Sequence, residues 1–364
     1  MASLLKGLGL GWVAPLAMGL TATAWAATDA EIKLVYDGVK SRYPEFSVYC
    51  KQAEDDRRKV TVQVTMELAM ARRLKDPVGA GPAAGALLRK DCGIDTAPAS
   101  AAAARWATSA APLVFAETVW PAASAHSVAA IANRLVVPEG PGPFPAVVLN
   151  HTMGGATDHL LTHTRSLLAA GFAVMVVDSY GPRGLRAGQL LFPAEVAKDA
   201  YAALGHIRRL PQVRHDRVFQ AGFSLGALAS ALLASPEGAK AFQSDHRFHA
   251  SAGWYGGCAI VSSDGAQRLD ALTADSDRPV LLLMAAQDIE TPPALCFPLL
   301  EDMKATGKDV VWHVYPDTTH GWDKPESNGY VYRKPGGVTM TYRYDPSTTQ
   351  DATARMLAFF RSRL

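Results

Sequence analysis

The stretch 220-QAGFSLGALAS-230 decides how the rest of the chain is read, because residues 222–226 fit the pattern G-x-S-x-G. In that pattern a serine sits on a tight strand-to-helix turn, and the glycines two places to either side leave room where a Cβ would strike the bent backbone. The apolar RVFQAGF (217–223) reads as the strand and LGALASALLA (225–234) as the helix. Ser224 then stands at a helix N-terminus, whose unpaired N–H groups favour developing negative charge. The pentapeptide alone does not separate a nucleophile from a serine filling a turn, so the surrounding sequence has to supply the context.

Working outward, short β-branched apolar runs recur: RLVVP (134–138), PAVVLNH (145–151), FAVMVVD (172–178), HASAGWY (249–255), PVLLLMAA (279–286) and VVWHVYP (310–316). Helix-like segments lie between and after them, near 157–170, 194–210, 225–236, 293–306 and 347–363. Such alternation, with strands apolar almost throughout, predicts an α/β fold over 113–364, a mostly parallel central sheet flanked by helices. Sites in such sheets form at the carboxyl ends of the strands.

A hydroxyl is a weak nucleophile until a base takes its proton, and a histidine base needs an acid to fix its tautomer. The expected chain order is serine, acid, histidine, each just after a strand. Asp288 follows PVLLLMAAQ directly, and His320 lies in YPDTTHGW after VVWHVYP. Asp317 is the competing acid, set aside because a loop aspartate so close to the histidine is more often a turn residue. The oxyanion hole needs two backbone N–H groups: Leu225 after the serine, and Met153 in the loop NHTMGG (150–155). His159 and His163 have the i, i+4 spacing of two metal ligands, but no HExxH glutamate or third ligand accompanies them. They are read, like His246 and His249, as core or surface histidines, and neither metal nor cofactor is expected.

Lysine and arginine total 36 against 34 acidic residues, which leaves no charge excess to attract nucleic acid or an anionic membrane. The N-terminus carries Lys6, a short apolar run and Ala24-Trp25-Ala26, the small-x-small pattern of a cleaved secretory signal. Residues 1–26 are therefore expected to be a signal peptide, leaving a secreted or periplasmic protein with no stable membrane span. Residues 27–112 form the second expected unit, a small helical extension in which GAGPAAGALLRKDCG breaks the helical pattern and an alanine-rich linker runs near 97–112. The third unit is 113–364. The four cysteines allow three pairings. The sequence-local choice, Cys50–Cys92 and Cys258–Cys296, closes loops of about 40 residues, worth roughly 4 kcal/mol each in the chain-entropy model.

Taken together, PGPFPAVVLNHTMGG (141–155), DSYGPRG (178–184), GFSLG (222–226), AAQDIETPP (285–293), YPDTTHGWD (315–323) and the closing Phe359-Phe360 occur in an order that resembles the dienelactone hydrolase family of α/β-hydrolases. The resemblance covers about 125–364. It implies an α/β-hydrolase fold and hydrolysis of ester-like bonds by a serine or cysteine nucleophile without metal. Cysteines at the positions of Cys258 (WYGGC) and Cys296 (TPPALC) also resemble family members, which supports that bridge beside the acid loop. Ser224 stands where the name-giving enzymes carry cysteine, so dienelactone itself is not implied as substrate. Thr152 stands where related loops carry glycine, and residues 27–112 fall outside the likeness.

Tyr180, Arg183, Trp254 and Tyr255 follow adjacent strands and are candidate pocket residues, with Arg183 suited either to a substrate carboxylate or to ordering its own loop, and with ordinary packing the favoured reading of Trp254 and Tyr255. The expected function is a secreted serine hydrolase cleaving small-molecule carboxylic esters through Ser224, His320, Asp288 and an acyl-enzyme. A peptidase or polyester hydrolase with the same triad, and a non-catalytic binding protein on the same fold, are the alternatives. Oligomeric state and natural substrate are left open by the sequence.

Overall fold

The computed structural model describes residues 27–71, 73–74, 77–94, 113–188, 191–261, 268–333 and 337–364. The expected signal peptide and the expected linker at 97–112 lie outside the described residues. No helix among the described residues is long and apolar enough to cross a membrane.

The N-terminal region folds as α1 (Asp29–Lys40), α2 (Phe46–Cys50), α3 (Glu54–Met70) and α4 (Pro77–Asp91). Thr28 opens α1 with a capping box in which Glu31 reaches back to its backbone. Val35, Val39, Tyr49, Val64, Ala84 and Leu88 form a core of their own. The stretch GAGPAAGALLRKDCG was expected to break the pattern, yet most of it is α4. Close packing explains the difference: a Cβ on Gly81 would stand 2.9 Å from Thr65 Oγ1, so glycine lets α4 approach α3. Tertiary contact thereby outweighs a propensity loss of about 1 kcal/mol per glycine. A disulfide joins Cys50 to Cys92 and links α2 to the end of α4.

From residue 113 the chain builds β1 (Val119–Pro121), α5 (Val128–Ile131), β2 (Leu135–Val137), β3 (Phe144–Asn150), α6 (His159–Ala169), β4 (Ala173–Val177), α7 (Pro193–Ile207) and β5 (Val213–Phe223). It continues with α8 (Leu225–Leu233), α9 (Pro236–Ala241), β6 (Ser251–Trp254), β7 (Ala259–Val261), β8 (Arg268–Asp270), β9 (Val280–Ala285), α10 (Phe297–Ala305) and β10 (Val310–Tyr315). The ribbon β11 (Val331–Arg333) and β12 (Thr339–Thr341) precedes the closing α11 (Pro346–Arg361).

Eight of these strands form one sheet in the order β1-β2-β4-β3-β5-β6-β9-β10, parallel except for the β2–β4 pair. Ala146 and Val148 of β3 pack into the core shared with α7, α8 and α10, while Val147 and Leu149 join the opposite core with α5, α6 and α11. Successive side chains of a strand point to opposite faces, so a sheet covered on both faces needs apolar residues throughout. In register, Asn150 of β3 faces Gly222 of β5 and Gly222 faces Gly253 of β6, which brings the loops after these strands to one edge.

Candidate active site

Ser224 alone separates β5 from α8 and carries the reversal with φ +52° and ψ −109°. A non-glycine residue held there stores about 1–3 kcal/mol of strain, which the surroundings must overcome. The Ser224 N–H donates to the Trp254 carbonyl at 3.0 Å, and its own carbonyl accepts from Leu228 N–H at 3.1 Å. A Cβ on Gly222 would lie 2.0 Å from the Gly226 carbonyl oxygen, and one on Gly226 would lie 2.3 Å from that of Asn150. Gly226 N–H donates to the His151 carbonyl at 3.1 Å, tying the serine turn to the loop after β3.

His320, in the loop after β10, places Nε2 2.8 Å from Ser224 Oγ and Nδ1 2.6 Å from Asp288 Oδ2. An ionised carboxylate only accepts, so Nδ1 donates to Asp288 and Nε2 is left to accept the Ser224 proton. Asp288 Oδ1 also accepts the backbone N–H groups of Glu290 at 2.8 Å and Thr291 at 3.0 Å, and Oδ2 lies 2.7 Å from Thr291 Oγ1. Burial pushes the Asp288 carboxyl up, but the charge and hydrogen bond of His320 together with these donors hold it below its ordinary value. Burial likewise works against charge on His320, and the Asp288 carboxylate outweighs it, so the imidazole is more basic than an ordinary histidine. Asp317 is exposed and makes no part of this chain of hydrogen bonds; its carbonyl accepts from Arg343 at 2.9 Å.

Of the two expected oxyanion donors, Leu225 opens α8 beside the serine. In the loop 152–155, Gly154 N–H donates to Thr152 Oγ1 and Gly155 N–H to the Thr152 carbonyl, each at 3.0 Å, which leaves Met153 as the corner residue with no acceptor among the described residues. His151 braces this loop from beneath. Its Nε2 accepts the Ser179 N–H at 3.1 Å and its Nδ1 lies 2.6 Å from the Thr152 carbonyl, so the ring is neutral, as its burial favours.

The candidate pocket residues are placed differently. Arg183 sets its fork on buried Asp199, with both nitrogen–oxygen distances at 2.7 Å, and Nη1 also donates to the Ser179 carbonyl. Its guanidinium orders the 178–184 loop rather than standing ready for a substrate carboxylate. Trp254 and Tyr255 are buried in the core between β5, α6 and Trp322, and Tyr180 is buried with its ring 4.9 Å from that of His151. These rings pack against His151, Phe223 and His320, Tyr255 lying edge-on to His320 at 4.9 Å.

The second disulfide joins Cys258 and Cys296, on either side of the Asp288 loop in sequence. Two disulfides suit an oxidising compartment. His159 and His163 share a buried face of α6, and His163 Nε2 lies 2.7 Å from Asp323 Oδ2. No group of three or more metal-ligating side chains occurs among the described residues. Thr291, Asp323 and Lys324 escaped sequence reading. Thr291 had a usable signal in its place three residues after Asp288, whereas the Asp323–His163 contact spans 160 positions and leaves no local trace.

Compared with known proteins, the chain matches the model described as "Dienelactone hydrolase family" over residues 131–364. No curated protein matches it. Among solved structures it is similar to a candidate dienelactone hydrolase from Klebsiella pneumoniae, at 20% identity and TM-score 0.46, over 62% of this chain and 90% of that one. It is also similar to the propionate-bound esterase Est2 of Thermogutta terrifontis, at 15% identity and TM-score 0.47, over 63% of this chain and 88% of that one. A third is MGS-M1, an alpha/beta hydrolase from a Medee basin deep-sea metagenome library, at 19% identity and TM-score 0.44, over 60% of this chain and 85% of that one. The family match takes in the serine turn, the Asp288 loop and the His320 loop, and on it the chain belongs to the dienelactone hydrolase family, as a hydrolase of carboxylic esters.

Proposed function

We propose that the chain is an exported serine esterase acting on small-molecule carboxylic esters through an acyl-enzyme. The observation that carries this reading is the continuous set of hydrogen bonds from Ser224 Oγ through His320 to Asp288, on a serine turn with positive φ. Ser224 Oγ attacks the ester carbonyl carbon while His320 Nε2 takes its proton. The Leu225 and Met153 N–H groups receive the negative charge on the carbonyl oxygen. His320 then returns the proton to the departing alkoxide, leaving acyl-Ser224. Water, deprotonated by His320, attacks the acyl carbon and releases the acid and free Ser224. Asp288 holds the imidazole tautomer and stabilises its charged form throughout.

Residues 1–26 are proposed as a cleaved export signal, 27–112 as a helical extension with a linker, and 113–364 as the hydrolase domain. The separate core of residues 27–92 supports the division. Mass measurement of the exported protein tests the cleavage: a mature chain that retains residues 1–26 overturns it.

The function is tested by labelling the mature, disulfide-intact protein with a fluorophosphonate and measuring hydrolysis of esters of increasing acyl length. Labelling that disappears in Ser224→Ala, together with turnover of short esters, is the expected result. Well-folded protein that neither labels nor turns over esters would leave a binding role on the same fold. Hydrolysis confined to peptides or polyesters would transfer the same machinery to those substrates.

A further inference from the structure

The residues just after His320 are fastened to the segment that supplies the second oxyanion donor. Asp323 Oδ2 lies 2.7 Å from His163 Nε2, both side chains being buried. Thr157 Oγ1 donates to Glu326 Oε1 at 2.9 Å. Between these two ties, Lys324 turns inward and its Nζ donates to Thr152 Oγ1 at 3.4 Å. The chain thus joins 323–326, next to the general base, with 152–163, which begins with the turn around Met153.

Lys324 is only 8% exposed, unusual for a lysine. Its ammonium has three protons, and among the described residues its partners are Thr152 Oγ1 and, at 3.9 Å, Glu326 Oε1. The nitrogen lies 3.2 Å from where a Cβ on Gly154 would stand, so it rests against the turn itself. Thr152 Oγ1 meanwhile accepts the Gly154 N–H at 3.0 Å. One hydroxyl therefore receives both the ammonium that comes from the His320 loop and the amide that shapes the Met153 corner.

We propose that Lys324 is a positioning residue for the ester hydrolysis, holding the Met153 turn through Thr152 in register with His320 and lending positive potential where the oxyanion forms. The inference rests on the catalytic reading of Ser224, His320 and Met153 given above. Burying an ammonium against so few acceptors costs stability, and a site where negative charge develops is where its field lowers the barrier. The tie to Thr152 also gives a purpose to the departure from glycine at that position: a glycine there offers no hydroxyl to either donor.

The groups facing His320 bear on its basicity in opposite directions. Asp288 and Glu290 favour its charged form, Lys324 opposes it, and the rings of Tyr255 and Tyr342 pack against it at 4.9 and 5.5 Å. Removing the Lys324 charge therefore raises the His320 pKa and moves the acid limb of the kcat/KM profile to higher pH.

The test measures kcat, KM and the pH profile of the full mature protein carrying Lys324→Met, Lys324→Arg, Thr152→Val, Thr152→Ser, and the Met/Val pair combined, on one short ester. Expected are losses of about tenfold or more in kcat for Lys324→Met and for Thr152→Val, with KM changed by less than about threefold. The combined variant loses no more than the worse single one, because both act through one contact. Lys324→Arg and Thr152→Ser, which keep the charge and the hydroxyl, recover turnover, and Lys324→Met shifts the acid limb upward. Losses that multiply in the combined variant overturn the proposal, as does a loss confined to KM, which would place Lys324 on the substrate. An acid limb that stays in place in folded Lys324→Met overturns the electrostatic part. Should Lys324→Met fail to fold, equal kcat for Thr152→Val and Thr152→Ser overturns it instead. Wild-type protein that neither labels nor hydrolyses esters removes the esterase reading along with this one, whereas active wild type with an unaffected Lys324→Met removes this one alone.

Discussion

Replacing Gly226 by alanine tests whether the serine turn and the proposed oxyanion loop depend on one backbone contact. The added Cβ would stand 2.3 Å from the Asn150 carbonyl oxygen, 2.8 Å from its carbon and 2.9 Å from the His151 oxygen. Ordinary carbon–oxygen contacts begin near 3.3 Å, so relief requires a separation of about 1 Å. Asn150 is held by its pairing with Val177 and Gly222, so it is not free to retreat along the sheet. The movement falls on α8 and the 151–155 loop, and the Gly226 N–H to His151 bond is lost. A reacting group displaced by about 1 Å typically costs ~100-fold, or about 2.7 kcal/mol in the transition state. The overpacking itself costs about 1–3 kcal/mol of stability, or a fall in Tm on the order of 2–12 °C. Gly205→Ala is the matched control. Gly205 lies in α7 with nothing within 4 Å of its would-be Cβ, and the change is expected to stabilise by about 0.4–1 kcal/mol. Kinetics on a short acyl ester and thermal unfolding of both variants decide the matter. A folded Gly226→Ala protein whose kcat stays within about threefold of wild type would refute the reasoning.

Asp288→Asn removes the charge that raises the His320 pKa, so the imidazole stays neutral to lower pH and the acid limb of kcat/KM moves downward, opposite to Lys324→Met. Turnover falls at the same time by ~1,000-fold or more, because the amide no longer enforces the reactive tautomer; an upward shift in the profile would contradict this assignment of charges. Arg183→Met leaves Asp199 buried beside no guanidinium, and burial already holds that carboxyl above its ordinary pKa. Breaking a buried pair in this way costs about 3–5 kcal/mol, to be read as a lower urea midpoint, with kcat/KM of the folded fraction unchanged. Unchanged stability with a raised KM for anionic esters would return Arg183 to the substrate.

The order of Ser224, Asp288 and His320 was legible in sequence because each carries local punctuation. Gly222 and Gly226 mark the turn at Ser224, and apolar runs end just before Asp288 and His320, so position in a parallel sheet follows from strand endings alone. The seven apolar runs likewise correspond to β2, β3, β4, β5, β6, β9 and β10, because a sheet buried on both faces leaves an unbroken apolar signature. The strands β1 and β11 are no shorter than β2, but they are half-exposed where β2 is buried, so they leave no such signature.

Where glycine serves packing, local reading goes astray. Gly81 of α4 looked like a break because its reason, the approach of Thr65 on α3, lies on another helix. The sequence by itself determined the fold class, the chain order of Ser224, Asp288 and His320 and the serine turn, since strand endings and turn glycines are local features of the chain. Only the tertiary structure decided the distances at which Asp288 and Ser224 meet His320, that Arg183 belongs to Asp199, and that Lys324 reaches Thr152 across 172 positions. Each of those choices is made between groups distant in sequence, and only the folded chain sets the distance and burial that give one partner the advantage.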